Sequence, residues 1–207
     1  MTRSLRRPAS SAEQDRRRVL TDAIRARHPR FREAVLADAK LTAAYRGERH
    51  EFRSTLDTML QVLRLMVASD AFLAQVAYRA KARMQALGIP FLPLIAHRMA
   101  IMTAQVSIGD PVLVHPGVYI AHGQVVADGM IEIHTGAVLF PWTTLGLIGP
   151  EVIGPTIGRG ARIGTGAKVL GKVHVGDNAR VAANAVVLSD VPANATAVGI
   201  PAKTVEA

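Results

Sequence analysis

Residues 157–187 read IGRGARIGTGAKVLGKVHVGDNARVAANAVV, with an aliphatic side chain at every sixth place: Ile157, Ile163, Val169, Val175, Val181 and Val187. A period of six matches neither the turn of an α-helix nor the simple alternation of a strand. It fits a solenoid in which three short strands and three turns make one triangular coil. Each side of the coil turns one aliphatic inward. The residue after the aliphatic is small (Gly158, Gly164, Gly176, Ala182), as a tight corner requires, and the fourth residue after it is often alanine (Ala161, Ala167, Ala179, Ala185). A run of Gly-rich hairpins would not hold one phase through six hexads.

Working towards the N-terminus, the same beat appears at Ile108, Val114, Ile120 and Val126, then after a one-residue slip at Ile133, Leu139 and Leu145. The thirteen positions predict about four coils. A Gly/Pro-rich excursion, Ile148–Pro155, interrupts them. Excursions from a rigid scaffold are where sites tend to sit.

Before residue 105 the pattern is helical. Ser11–Ala37 is charged and moderately amphipathic. Thr55–Ala68 is apolar on most of its circumference, which predicts burial between helices or subunits. Asp70–Leu87 follows, with Ser69 or Asp70 as N-cap and Gly88 as the stop; Pro90 and Pro93 introduce a last helix ending near Thr103. The expected layout is α+β: an N-terminal all-helical domain followed by a left-handed parallel β-helix of hexapeptide repeats. The expected boundaries are a basic disordered tail over 1–18, helices over 19–104 and the β-helix over 105–207.

The formal net charge of +9 is concentrated early, since residues 1–50 hold 13 of the 25 Lys and Arg but six of the 16 acids. Aromatics are 4% of the chain and do not interleave with basic runs, which argues against nucleic-acid binding by base stacking. The chain has no cysteine, so a disulfide framework, a thiolate-bound metal and a Cys nucleophile are excluded. Phe91–Ala104 is too short to span a bilayer, and Glu13 and Asp15 argue against a transit peptide. These readings predict a cytoplasmic protein with no membrane partner.

Gly166–Val173 nearly matches a phosphate-binding loop, but Val173 stands where the metal-binding hydroxyl is needed and no helix follows. His28, His50 and His97 show no metal-ligand spacing. His115, His122, His134 and His174 lie in the repeat, where side chains outside the inward positions face solvent or a neighbouring subunit.

Several segments resemble the serine O-acetyltransferase family. Val118–Gly123 (VYIAHG) is similar to the family segment ending in its catalytic histidine, and Thr144–Gly146 (TLG) to the family's T-L-G. Pro155–Gly158 and Ile163–Gly171 resemble its acetyl-CoA-binding coils. Ala183–Val187, Asp190–Pro192 and Val198–Lys203 resemble its C-terminal signature, and Phe72–Arg79 echoes its helical domain. The resemblance implies an O-acetyltransferase acting on L-serine, with acetyl-CoA as co-substrate, no metal, and a homotrimer or dimer of trimers. It implies His122 as general base and a Gly146 N–H for the oxyanion. Acetyl-CoA would lie along Thr165, Gly166, Ala167 and Ala183, with Lys168, Lys172, Arg180 and Lys203 as phosphate partners.

The departures bear on the acceptor. Ala121 stands where the family has an Asp before the histidine, Ser107 replaces an acid one coil earlier, and Ile148–Pro155 lacks the family's second active-site histidine. Asp128, Glu132 and Glu151 are the acids available to take over, with Ser107 at the acceptor site. A different small hydroxyl or amine acceptor, or a trimeric scaffold without chemistry, are the alternatives left open.

Overall fold

The computed structural model describes residues 11–149 and 151–205. Among the described residues five helices come first: α1 Ser11–Ala26, α2 Phe31–Tyr45, α3 Thr55–Ala68, α4 Asp70–Ala86 and α5 Leu92–Ala104. Two expectations change here. The tail was expected to reach residue 18, but residues 11–18 are helical, while 1–10 lie outside the described residues. The stretch 11–37 is not one helix either. It breaks before Phe31 at Pro29, whose missing N–H and bulky ring disfavour helix in the residues before it. Ser54 and Ser69 cap α3 and α4, accepting from the N–H groups of Asp57 and Phe72. The chain leaves α5 through Gln105 in the left-handed region.

Fifteen short strands follow among the described residues: β1 Ser107–Ile108, β2 Val112–Val114, β3 Tyr119–Ile120, β4 Val126–Ala127, β5 Met130–Ile133, β6 Val138–Leu139, β7 Thr144–Gly146, β8 Ile153–Ile157, β9 Arg162–Ile163, β10 Lys168–Leu170, β11 His174–Val175, β12 Arg180–Val181, β13 Val186–Val187, β14 Thr196–Gly199 and β15 Ala202–Val205. Every third strand stacks, in the orders β1-β4-β7-β10-β13, β2-β5-β8-β11 and β3-β6-β9-β12-β14-β15. All pairs are parallel except β14 with β15. This is a parallel β-helix of about five turns. In the first sheet the partners Ser107, Val126, Thr144, Lys168 and Val186 are 19, 18, 24 and 18 residues apart. Three hexads make one coil. The coil of 19 holds the slip, and the coil of 24 holds the excursion between β7 and β8.

The core is the stacked column of inward aliphatics, among them Ile108, Val114, Ile120, Ile133, Leu139, Leu145, Ile157, Ile163, Val169, Val175, Val181 and Val187, all buried. Val126 is not in it. It is 42% exposed while Ala127 is fully buried, so the extra residue lies between Ile120 and Ala127 and not after Val126. A second buried column, two residues before the first, runs through Val106, Val112, Val118, Ala161, Ala167, Ala179 and Ala185.

Helix α4 closes the open end of the solenoid. Carbonyls of the first coil that point away from the second coil have no strand to pair with, and leaving them buried without donors would cost free energy. Side chains of α4 supply those donors. Gln75 Nε2 donates to Val118 O at 2.9 Å, Tyr78 Oη to Val112 O at 2.7 Å and Lys81 Nζ to Ile108 O at 2.6 Å. Arg79 donates to the carbonyls of Val114 and His115. Its guanidinium also pairs with the buried Asp38 of α2, which accepts from the N–H of Gly117 and of Val118. Burial pushes the Asp38 carboxyl upward against the pull of Arg79, and burial lowers Lys81 against the pull of Asp110.

Within the chain helix α3 is not buried between helices: Leu56, Met59, Leu60, Leu63 and Val67 are exposed and only Leu65 is buried, so of the two expected settings the one between subunits is left. Among the described residues no single helix is long and apolar enough to cross a membrane; α3 and α4 together reach the length but meet at 116°.

Candidate active site

The corner after β3 carries the extra residue of the first coil, and His122 stands in it. His122, Gly123 and Gln124 all have positive φ (62°, 94° and 50°). That region is uncommon for residues with a Cβ, and such outliers gather at functional sites. Two contacts hold the turn. The Gln124 N–H donates to Ala104 O at 2.8 Å, and Ala121 N–H donates to Leu139 O at 2.9 Å. Only glycine fits at 123, since a Cβ there would lie 2.2 Å from Ala104 O. The end of α5 and the extra residue together thus turn the imidazole outward. His122 is exposed, and among the described residues no carboxylate is hydrogen bonded to its ring.

The same corner recurs in each coil after β3, β6, β9 and β12. Gly123, Trp142, Gly166 and Asn184 stand three residues beyond the buried Ile120, Leu139, Ile163 and Val181, and all four have positive φ. The ladder continues between them: Asn184 N–H donates to Thr165 O, and Gly166 N–H to Pro141 O. His122, Thr165, Gly166 and Ala183 therefore share one edge of the solenoid. Ala167 is wholly buried and belongs to the second core column, so only its backbone reaches this edge. Lys168 Nζ donates to the carbonyls of Gly166 and Trp142, at 2.8 and 3.0 Å, and so fastens the edge. Arg180 and Lys172 are exposed, Arg180 on the face of β12; Lys203 lies exposed on β15.

Gly146, Asp128 and Glu151 come together elsewhere, in a cleft of about 540 Å³ with Val126, Thr144 and Leu170. Ser107 lies on the adjoining first-sheet row, paired with Val126. Glu132 is engaged differently. Its Oε1 accepts from His115 Nε2 at 2.8 Å and from Arg27 at 2.5 Å. Burial opposes its ionisation most strongly of the single causes, but those two hydrogen bonds together with the charges of Arg27 and His134 hold the carboxyl below its ordinary range.

Trp142, 59% exposed on the edge one coil beyond His122, is a residue that sequence reading passed over. The signal was present: it is the only tryptophan, in a corner where its neighbours are small.

Residues 154–189 match the family described as bacterial transferase hexapeptide (six repeats). A serine acetyltransferase of Helicobacter pylori is 43% identical over 102 residues, covering 44% of this chain and 59% of its own. One from Synechococcus elongatus is 30% identical over 146 residues, 69% of this chain and 60% of its own. The chain thus spans about three fifths of the length of these relatives. Soybean serine acetyltransferase complexed with serine superposes with a TM-score of 0.72 at 27% identity, over 95% of this chain and 79% of that one. The resemblance to serine acetyltransferases read from the residues holds in sequence and in fold.

Proposed function

We propose that this protein is an acetyl-CoA-dependent O-acetyltransferase with L-serine as acceptor and His122 as general base. The placement of His122 carries the reading: an outward-turned imidazole in a strained corner, on one edge with Thr165, Gly166 and Ala183. Similarity to serine acetyltransferases, one of them solved with serine, supports the acceptor.

In this mechanism His122 takes the proton of the serine hydroxyl as its oxygen attacks the thioester carbonyl. The tetrahedral intermediate collapses with cleavage of the C–S bond, and the imidazolium returns the proton to the departing thiolate. General-base catalysis of this kind contributes ~10²–10⁴-fold. An N–H of Gly146 would meet the oxyanion. Acetyl-CoA would lie against the small residues of the edge, with Arg180, Lys172 and Lys203 as phosphate partners; Lys168 is already engaged with two carbonyls. Asp128 and Glu151 would hold the acceptor's ammonium group, whereas Glu132 is committed to Arg27 and His115.

We place the site in the groove between two copies of a homotrimer in the cytoplasm, where the edge of one chain meets Gly146 of the next. The apolar faces of α3 and α5, with Leu60, Val67, Ile95 and Met102 exposed, suit pairing of two trimers.

A different small acceptor is the second reading, favoured by Ala121 and Ser107, which leave the histidine without a bonded carboxylate. Thiol release from acetyl-CoA against serine, threonine, homoserine, amino alcohols and sugars separates the two. Turnover with serine supports the first, turnover only with another acceptor selects the second, and none with any of them overturns both.

A further inference from the structure

We propose that His115, Glu132 and His134 form a binding site for a divalent transition-metal ion of the zinc type, separate from the acetyl-transfer edge. Coil stacking builds the site. Val114 pairs with Ile133, so the histidines that follow β2 and β5 lie one above the other, with ring centroids 4.6 Å apart; their planes are within 12° of parallel, so one ring turns out of the stack for both nitrogens to meet one ion in their ring planes. Glu132, two residues before His134, faces the same way. Its Oε1 lies 2.8 Å from His115 Nε2 and 3.7 Å from His134 Nε2.

An ion held at about 2.0–2.2 Å by each ligand needs ligand atoms about 2.9–3.5 Å from one another, depending on coordination number. The two separations, 2.8 and 3.7 Å, fall just outside the two ends of that range, within reach of small side-chain rotations. Two imidazoles and one carboxylate are also a donor set that zinc accepts, with a further position left for water. Among the described residues this is the one group of three whose ligand atoms all lie within 4.8 Å of one another. All three side chains are partly exposed, at 31%, 22% and 28%, and His134 lines a cleft of about 570 Å³ with Arg159, His174 and Asp177. An ion can therefore reach the site from solvent.

Arg27, at the end of α1, supplies the positive charge that Glu132 faces here. Its side chain is 54% exposed, so the guanidinium can turn to water and leave the carboxylate to an ion. The ion would then tie the first coil to the second through ligands from both. The proposal departs from the expectation of no metal that the resemblance implies.

Calorimetric titration of the tag-free full chain with zinc chloride, after dialysis against a chelator, tests the site. One ion per chain is expected. His115→Ala, His134→Ala and Glu132→Gln should each weaken binding roughly tenfold or more, while His50→Ala leaves it unchanged. Cobalt(II) titration gives an independent readout, since its visible bands should appear with the wild-type chain and fade in the three variants. Far-UV circular dichroism identifies any variant that fails to fold, and the conservative Glu132→Gln keeps the test open in that event. Arg27→Ala should bind at least as tightly as the wild type. No binding up to about 1 mM zinc, or binding indifferent to all three ligand substitutions, would overturn the proposal.

Discussion

Arg79 and Asp38 form a buried ion pair, 2.9 Å between Nε and Oδ2, with side chains only 2% and 1% exposed. The pair sits where α2 and α4 close the first coil. Arg79 also donates to two carbonyls of that coil, and Asp38 accepts from two of its amides. Removing one partner leaves an uncompensated charge away from water. Asp38→Ala should therefore lower stability by about 3–5 kcal/mol, read from urea unfolding. A loss under about 1 kcal/mol would show that the end cap does not depend on the pair.

Gly123 is the tightest point of the His122 corner, with a Cβ position 2.2 Å from Ala104 O and φ of 94°. Gly123→Ala should cost about 2 kcal/mol or more and displace the imidazole beside it. A thermal melt and an activity assay check the two effects together. An alanine variant with unchanged melting would mean that α5 yields easily at Ala104.

His28 lies near Tyr78, with ring centroids 6.2 Å apart. Burial, with the nearby charges of Arg79 and Lys81, pushes its pKa from 6.5 down to about 4. The folded chain then holds His28 neutral over a range in which the unfolded chain protonates it. The contribution is fully present above pH 6.5 and is lost as pH falls towards 4. Unfolding midpoints measured between those values should decline more steeply in the wild type than in His28→Asn. Parallel profiles would contradict the burial effect.

How far the sequence could be read depended on which interactions repeat. The inward column was legible because each hexad restates it, so Ile157 to Val187 needed no tertiary information. Val126 misled because it is aliphatic at the expected beat. Ala127, which takes the inward place, looks like any small neighbour until its burial is known. Gln75, Tyr78, Arg79 and Lys81 read as ordinary helix, since their partners are carbonyls 27 to 43 residues away. His122 was found by resemblance, while the shared edge that places it with Thr165 and Ala183 came from coil stacking. His115 and His134 did carry a signal: they are one coil of 19 residues apart, a spacing that means adjacency only once the coil length is known.

The exposed apolar residues of α3 give a prediction about assembly. Leu60→Glu with Val67→Glu places two charges on a face that trimer pairing would bury. On the proposed dimer of trimers, the native mass should fall by half, from six copies to three, with the circular dichroism unchanged. An unchanged mass would remove α3 from the interface.

Acetyl transfer by His122 is tested most directly by thiol release from acetyl-CoA with saturating serine, comparing the wild-type chain with His122→Ala. The rate should fall by ~10²–10⁴-fold while the melting temperature stays where it was. A variant that retains turnover within about twofold of wild type would contradict the assignment of His122 as the base.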